Sequence, residues 1–194
     1  RIEVMGYRKL ENIKERIEQE ALLIGATKGV ADISARNVAK ACGISTHTIY
    51  CHFKSMKELI DTIAQRFDRK HMDSISGCLD NNMNIIEIFD FFVERFIEDK
   101  IETLYYISYN NKYGFDPTIN NPRANEFLKV AHLLFSNNTK LSDDQTLLLW
   151  DYITSMAFFY AEKIIKGFLE NTFENKENIH SIVFRGLNSI LNAE

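Results

Sequence analysis

The chain has 194 residues, of which 45% are hydrophobic and 26% charged, a composition that excludes a disordered protein. Its 8 glycines and 2 prolines are too few for the many turns of an all-β protein, so the composition favours helices. No apolar run reaches the roughly 18 residues that a membrane helix needs. The three cysteines, Cys42, Cys51 and Cys78, show no paired metal spacing. We therefore expect a cytoplasmic protein with free thiols.

Charged and aromatic residues divide the chain into two unequal parts. Residues 1–73 carry a net charge of +3, whereas residues 74–194 carry −7 and contain 19 aromatic residues, including the single tryptophan Trp150. This division favours a polyanion-binding head joined to a body that binds a small molecule or forms oligomers. A charge of +3 over 73 residues is also within ordinary variation.

Apolar periodicity and capping residues predict an all-α protein of about nine helices, with no internal repeat. The first helix is predicted over about 9–28. Ser34 and Gly43 flank a second helix of about two turns, and Ser45 or Thr46 begins a third.

The later helices are bounded by capping boxes and asparagine pairs. Ser55 and Glu58 predict the start of a helix from Met56 to about residue 79. Ser142 and Gln145 precede a long apolar helix predicted over 147–169, and a last helix is predicted over about 176–191. The remaining boundaries are predicted at Asn81-Asn82, Asn110-Asn111, Asn120-Asn121-Pro122 and Asn137-Asn138.

Two short helices joined through residues 41–45 have the spacing of a DNA-binding helix-turn-helix, in which glycine permits the tight turn. Ile49 and Phe53 form the apolar face of the second of these helices. Its other residues are short hydrogen-bond donors suited to phosphates and base edges. The alternative is a helical corner whose polar residues face water.

The segment from Ser34 to Leu59 closely resembles the DNA-binding head of the TetR (tetracycline repressor) family of bacterial regulators. Gly43-Ile44-Ser45 and Thr48-Ile49-Tyr50-Cys51-His52-Phe53 carry the resemblance, which extends over about residues 10–70. It implies a DNA-binding domain over 9–70 and a ligand-binding and dimerisation domain over 71–194.

By this resemblance, phosphate contacts are expected early in the second helix and base reading at the start of the third. The residues expected to contact DNA are Ser34, Arg36, Thr46, His47, Thr48, Tyr50, His52, Lys54 and Lys57. Met56 stands where the family usually has lysine, so that phosphate contact is expected to move to Lys57. Gly25 stands where the family usually has phenylalanine, which leaves a volume that Phe53, Leu23 or a neighbour must fill.

The abundance of aromatic residues in the second part predicts an apolar ligand pocket with a few tyrosine hydroxyls as polar anchors. The expected lining residues are Phe92, Phe96, Tyr105, Tyr109 and Trp150. From the predicted helix five through helix six, the only basic residues are Arg95, Lys100 and Lys112, so a neutral or cationic ligand is expected. The alternative is that the rings only pack against one another.

The last two predicted helices are expected to form a homodimer, as their counterparts do in the family. The first of them is apolar on two sides, and the second has the apolar row Ile179, Ile182, Val183, Gly186, Leu187 and Ile190, in which Gly186 would permit close approach. The alternative is that these rows form the core of a single chain.

These expectations together describe a homodimeric transcriptional repressor that binds a palindromic double-stranded DNA operator and is released by a small apolar effector. The alternative from another class is a TetR-like adaptor that responds to a partner protein. No enzyme signature, cofactor or metal site is predicted, because His47 and Cys51 have no third ligand at a defined spacing. The acidic row Glu87, Asp90, Glu94 and Glu98 is expected to be a solvated face.

Overall fold

The computed structural model of the chain describes residues 2–80, 83–114, 132 and 141–191. These residues contain eight α-helices, one short 3-10 turn and no strand, which confirms the all-α prediction. The helices are α1 (Ile2–Lys28), α2 (Ala35–Cys42), α3 (Thr46–His52), α4 (Met56–Asp80), α5 (Ile85–Glu98), α6 (Lys100–Tyr113), α7 (Asp143–Ile165) and α8 (Phe173–Leu191). None of the helices described is long and apolar enough to span a bilayer.

Several helix ends differ from the predicted ones. The helix α6 continues through Asn110-Asn111, where a boundary was predicted, and the carbonyl of Asn110 accepts a bond of 2.8 Å from the amide of Gly114. The helix α7 ends at Ile165 instead of residue 169, because Gly167 takes a left-handed conformation with φ 72°. The boundaries predicted at residues 120–122 and 137–138 lie outside the described residues.

The chain divides into two compact units, residues 1–70 with 101–115 and residues 71–100 with 116–194. The division falls inside α4 and at the start of α6. The first unit therefore contains α6 in addition to the predicted head. The functional division at residue 70 stays a prediction.

The core of the first unit is formed by one apolar face from each of its helices. Ile49 of α3 and Phe53, which follows the last residue of this helix, are both buried, as the apolar spacing predicts. They share this core with Ile17, Ala21, Val38, Ala39, Leu59, Ile63 and Phe67. The helix-turn-helix is thus held by side chains from α1 and α4.

In the second unit α5 packs along α7, and α8 buries Ile179, Val183 and Leu187 in the same chain. Gly186 permits a close approach within the chain: a Cβ there would lie 2.4 Å from the hydroxyl oxygen of Tyr152. That hydroxyl donates a hydrogen bond of 3.1 Å to the carbonyl of Val183. Most of the apolar row of α8 therefore belongs to the core of one chain.

The acidic row of α5 is only partly solvated. Asp90 accepts a hydrogen bond of 2.6 Å from Nε2 of His180 and lies 3.3 Å from the ammonium of Lys176. The same ammonium lies 3.0 Å from Glu94. Burial lowers the pKa of Lys176, but these carboxylates outweigh it and raise the pKa overall. The prediction of a solvated face was wrong for Asp90, whose side chain is 23% exposed because α8 covers it, whereas Glu94 remains 64% exposed despite its ion pair.

Candidate nucleic-acid interface

Both short helices of the predicted motif are capped at their N-terminal ends by serine. The hydroxyl oxygen of Ser34 accepts a hydrogen bond of 3.2 Å from the amide of Asn37, and that of Ser45 accepts one of 3.2 Å from the amide of Thr48. Between the helices, Gly43 has φ 62° and ψ 37°, a left-handed conformation that a glycine adopts without strain. These local features set the direction of α3 relative to α2.

The turn between α2 and α3 is tied to α1 by Arg16. Its guanidinium donates to the carbonyl of Cys42 at the end of α2, and the thiol of Cys42 donates over 3.7 Å to the carbonyl of Arg16. Burial raises the pKa of Cys42, which keeps this thiol neutral. Arg16 is a positioning residue that spacing did not identify, because its contact joins residues 26 positions apart.

The polar face of α3 lies opposite its buried residues. Thr46, His47 and Tyr50 are exposed, and Tyr50 is 52% accessible to solvent. Thr48 and His52 are half-buried, and the hydroxyl of Thr48 lies 2.9 Å from that of Ser45. A large tyrosine and a histidine held in solvent by a rigid capped helix can contact a duplex without rearranging the core.

The residues expected to contact phosphates lie on the elements before and after α3. Arg36, Lys54 and Lys57 are exposed, and Ser34 is half-buried at the start of α2. The structure thus places all nine predicted DNA-contact residues in one compact unit, at the N-cap of α2 or within it, on α3, and before or within the first turn of α4. The predicted capping box of α4 differs in one bond, since Glu58 accepts from the amide of Lys54 and not of Ser55.

The thiol of Cys51 lies 3.7 Å from Nε2 of His47 on the exposed side of α3. Among the residues that the structure describes, no group of three or more histidine, cysteine or acidic side chains could hold a metal ion. This pair therefore provides no metal centre within the described part of the chain.

The volume left by Gly25 is filled by Tyr105 of α6. A Cβ at Gly25 would lie 2.4 Å from Cδ2 of that ring and 3.1 Å from Cδ1 of Ile33. The ring is fully buried, and its hydroxyl donates a bond of 2.9 Å to the carbonyl of Ile60. Of the predicted alternatives, Phe53, Leu23 or a neighbour, the structure selects a neighbour in space that lies 80 positions further along the chain.

The other tyrosines of α6 bind the carboxylates of α4. The hydroxyl of Tyr106 donates to Asp68, and that of Tyr109 donates to Asp61 over 3.0 Å. Ser108 accepts a hydrogen bond of 2.9 Å from the amide of Val30. Two predicted ligand residues, Tyr105 and Tyr109, therefore have hydroxyls that hold α6 to the head.

The other three predicted ligand residues lie together in the second unit. The ring centroid of Phe92 is 5.6 Å from that of Phe96 and 6.2 Å from that of Trp150. Phe96 also stacks on Phe158 at 4.1 Å. The structure therefore divides the five predicted lining residues between the two units, and within the second unit Phe92 contacts both Phe96 and Trp150.

The comparisons with known proteins agree with this architecture. Residues 21–63 match the family model described as bacterial regulatory proteins, tetR family. A TetR family transcription regulator from Marinobacter aquaeolei VT8 has a similar fold, with a TM-score of 0.70 at 14% identity over 92% of this chain and 97% of that one.

Two further solved structures are similar. A TetR-family transcriptional regulator from Haemophilus influenzae RD gives a TM-score of 0.65 at 19% identity, covering 90% of this chain and 96% of that one. The fatty acid degradation regulator FadR from Bacillus halodurans gives a TM-score of 0.55 at 14% identity, covering 93% of this chain and 98% of that one. At these identities the likeness shows a shared fold.

Proposed function

We propose that this chain, in which residues 21–63 form the helix-turn-helix module of the tetR family, is a dimeric repressor that binds a palindromic operator and is released by a small apolar ligand. The observation that carries the DNA-binding part is the exposed polar face of α3 on a doubly capped helix-turn-helix. The exposed cations Arg36, Lys54 and Lys57, on α2 and near the start of α4, supply charge for DNA phosphates.

Tyr50 and His47 have different roles in this proposal. Tyr50 contacts the sugar-phosphate backbone, so its loss weakens binding to every sequence, whereas His47 reads a base edge and its loss changes sequence preference. Both side chains are exposed, so their replacement leaves the core intact.

A mobility-shift experiment with DNA from the flanks of the chain's own gene tests these roles. At one fixed salt concentration, Tyr50→Ala should weaken binding to operator and unrelated duplexes alike, and His47→Ala should change the ranking of operator variants. Lys166→Gln, which removes an exposed cation from the second unit, is the control. Unchanged binding by both head variants would contradict the assignment of α3 as the reading helix.

Exposed apolar residues on α7 and α8 support the proposed dimer. Leu148 is 67% exposed, Phe159 is 46% exposed and Ile182 is 63% exposed, although they stand on otherwise well-packed helices. Apolar side chains of this size on two neighbouring helices suit an interface with a second copy. A dimer of this kind presents two copies of α3 to two operator half-sites.

The proposed effector site includes the rings of Phe92, Phe96 and Trp150. The ring of Phe92 contacts both of the others and all three residues are buried, so a ligand that reaches them must displace side chains. The positive charge of Arg95 is balanced by Glu98 at 3.5 Å and Asp99 at 3.9 Å, which favours a neutral or cationic ligand over an anion.

The emission of Trp150 is the direct readout for such a ligand. Apolar compounds that bind should change this emission and raise the melting temperature. They should also weaken operator binding by the factor by which operator DNA weakens theirs, because the coupling free energy between two sites is reciprocal. If a broad panel of such compounds changed neither quantity, the adaptor hypothesis, in which a partner protein replaces the ligand, would be favoured.

A further inference from the structure

Lys57, one of the expected phosphate contacts, is already engaged within the first unit. Its ammonium forms an ion pair with Asp61 one turn later on α4. The same nitrogen lies 4.7 Å from the ring centroid of Tyr113 and 5.9 Å from that of Tyr109, both on α6. We call Asp61, Tyr109 and Tyr113 the Lys57 clamp.

The carboxylate of the clamp is held in place from α6. One oxygen of Asp61 accepts both the ammonium of Lys57 and the hydroxyl of Tyr109, the latter over 3.0 Å. Burial and the hydrogen bond to Asp61 raise the pKa of Tyr109 well above its ordinary value, so this hydroxyl stays a neutral donor. The carboxylate therefore remains beside Lys57 for as long as α6 keeps its present position.

The rings of the clamp add a second attraction for the same charge. A lysine ammonium within about 6 Å of an aromatic centroid is attracted by the electron-rich face of the ring. Tyr113 is 39% exposed, and its ring also lies 5.1 Å from that of Tyr109 and 5.5 Å from the ammonium of Lys112. Lys54, three residues earlier, is exposed and lies outside the clamp.

We propose that the Lys57 clamp withholds this ammonium from DNA phosphates, so that the C-terminal turn of α6 sets operator affinity through one cation. The inference rests on the proposed DNA-binding function. An ammonium that is paired with a carboxylate releases few counterions when the protein binds DNA. An unpaired ammonium can instead neutralise one DNA phosphate. Release of Lys57 thus strengthens binding and makes it more sensitive to salt.

A double-mutant cycle on Lys57 and Asp61 tests the clamp. The probe is a labelled duplex from the flank of the chain's own gene, titrated from about 50 to about 200 mM KCl. Asp61→Asn should raise affinity several-fold at low salt and steepen the slope of log K against log[salt] by about 0.9, the value for one phosphate. Lys57→Gln alone should change affinity less than twofold.

The double variant separates the clamp from a general charge effect. If Asp61→Asn acts by releasing Lys57, its gain disappears when Lys57→Gln is also present. If it acts only by removing a negative charge near DNA, the gain is the same in both backgrounds, and the clamp is overturned. Lys54→Gln combined with Asp61→Asn is the matched control, in which the gain should persist.

Substitutions at Tyr113 test the ring contribution. Tyr113→Leu should raise affinity about two- to fivefold, because the ammonium loses its aromatic partner, and Tyr113→Phe should match the wild type. Equal affinities for all three proteins would overturn the role of the ring. Failure of every protein to bind any duplex would overturn the proposed function and the clamp together, whereas normal binding without coupling overturns the clamp alone.

Discussion

Tyr105 takes the place of a side chain that position 25 lacks. Its ring lies against the backbone of α1 at Gly25, and its hydroxyl satisfies the carbonyl of Ile60 on α4. One residue of α6 thus contacts two helices of the head. Any side chain at position 25 competes for the same volume.

The effect of Gly25→Ala on the free energy of unfolding should change sign when Tyr105 is replaced. Alone it should destabilise the protein by about 1–3 kcal/mol through overpacking against Tyr105. In the Tyr105→Ala background, which itself should cost about 3–5 kcal/mol, the same change should be neutral or stabilising by up to about 1 kcal/mol, because alanine favours the helix. Urea denaturation of the four proteins measures both values. Equal costs in both backgrounds would show that Tyr105 does not limit this volume.

Asp68 makes the folding stability of the first unit depend on pH, and the direction of this dependence follows from its pKa. Burial raises the pKa of this carboxyl to about 6, although the hydrogen bond from Tyr106 and the charge of Arg69 act in the lowering direction. Because the folded pKa exceeds the ordinary 3.8, the group stabilises the fold fully below pH 3.8, and this contribution is lost as the pH rises through about 6.

The variant Asp68→Asn, which replaces the titrating carboxyl with a neutral amide, should therefore stabilise the protein most above pH 7. A shift of about two pKa units corresponds to about 3 kcal/mol at most, and the difference from the wild type should decrease as the pH falls towards 4. Melting curves between pH 4 and 8 measure this difference. A difference that is the same at every pH would contradict the assignment.

At the scale of elements, serine caps begin the helices on which the proposed function depends. Ser45 begins α3 and Ser142 begins α7, each by accepting a bond of 3.2 Å from a backbone amide three residues later. Both caps could be predicted from the sequence, because the hydrogen bond joins neighbours in the chain. The ends of α6 and α7 differ from the predicted ones, because Gly114 and Gly167, each with a positive φ, follow the last turns.

Removing either serine cap should reduce folding stability by a similar amount, but the two changes should differ in their effect on DNA binding. Ser45→Ala and Ser142→Ala should each cost about 1 kcal/mol of folding free energy. Only Ser45→Ala should weaken operator binding, because it loosens the helix that carries Tyr50 and His47. Chemical denaturation and DNA titration, carried out on the same samples, check the two statements. Equal losses of DNA affinity would mean that the effect on binding follows overall stability.

At the scale of the whole molecule, the exposed residues of α8 distinguish an interface from a core. Ile182 is 63% exposed, whereas Leu187 on the same helix is 3% exposed and packs within one chain. The two residues belong to one apolar row in the sequence, and only the packed structure separates their roles.

The proposed dimer should respond to Ile182→Glu and not to Ile182→Leu. A carboxylate at a buried apolar contact should weaken association by roughly tenfold or more, while the monomer keeps its melting behaviour. Leu187→Glu should instead unfold the chain, since it buries a charge in the core. Light scattering with circular dichroism separates the two outcomes. A particle of 22.6 kDa for the wild type at micromolar concentration would contradict the dimer.

The features that the sequence by itself determined are local ones. The serine caps, the left-handed Gly43 and the four-residue spacing of Ile49 and Phe53 depend on neighbours within one or two turns, so they could be predicted from residue order. Tertiary structure alone decided that Tyr105 fills the space at Gly25, that α8 supplies partners for Asp90, and that Tyr113 lies beside Lys57. These pairs are separated by 56 to 90 positions, and they meet only because the packing of whole helices brings them into contact.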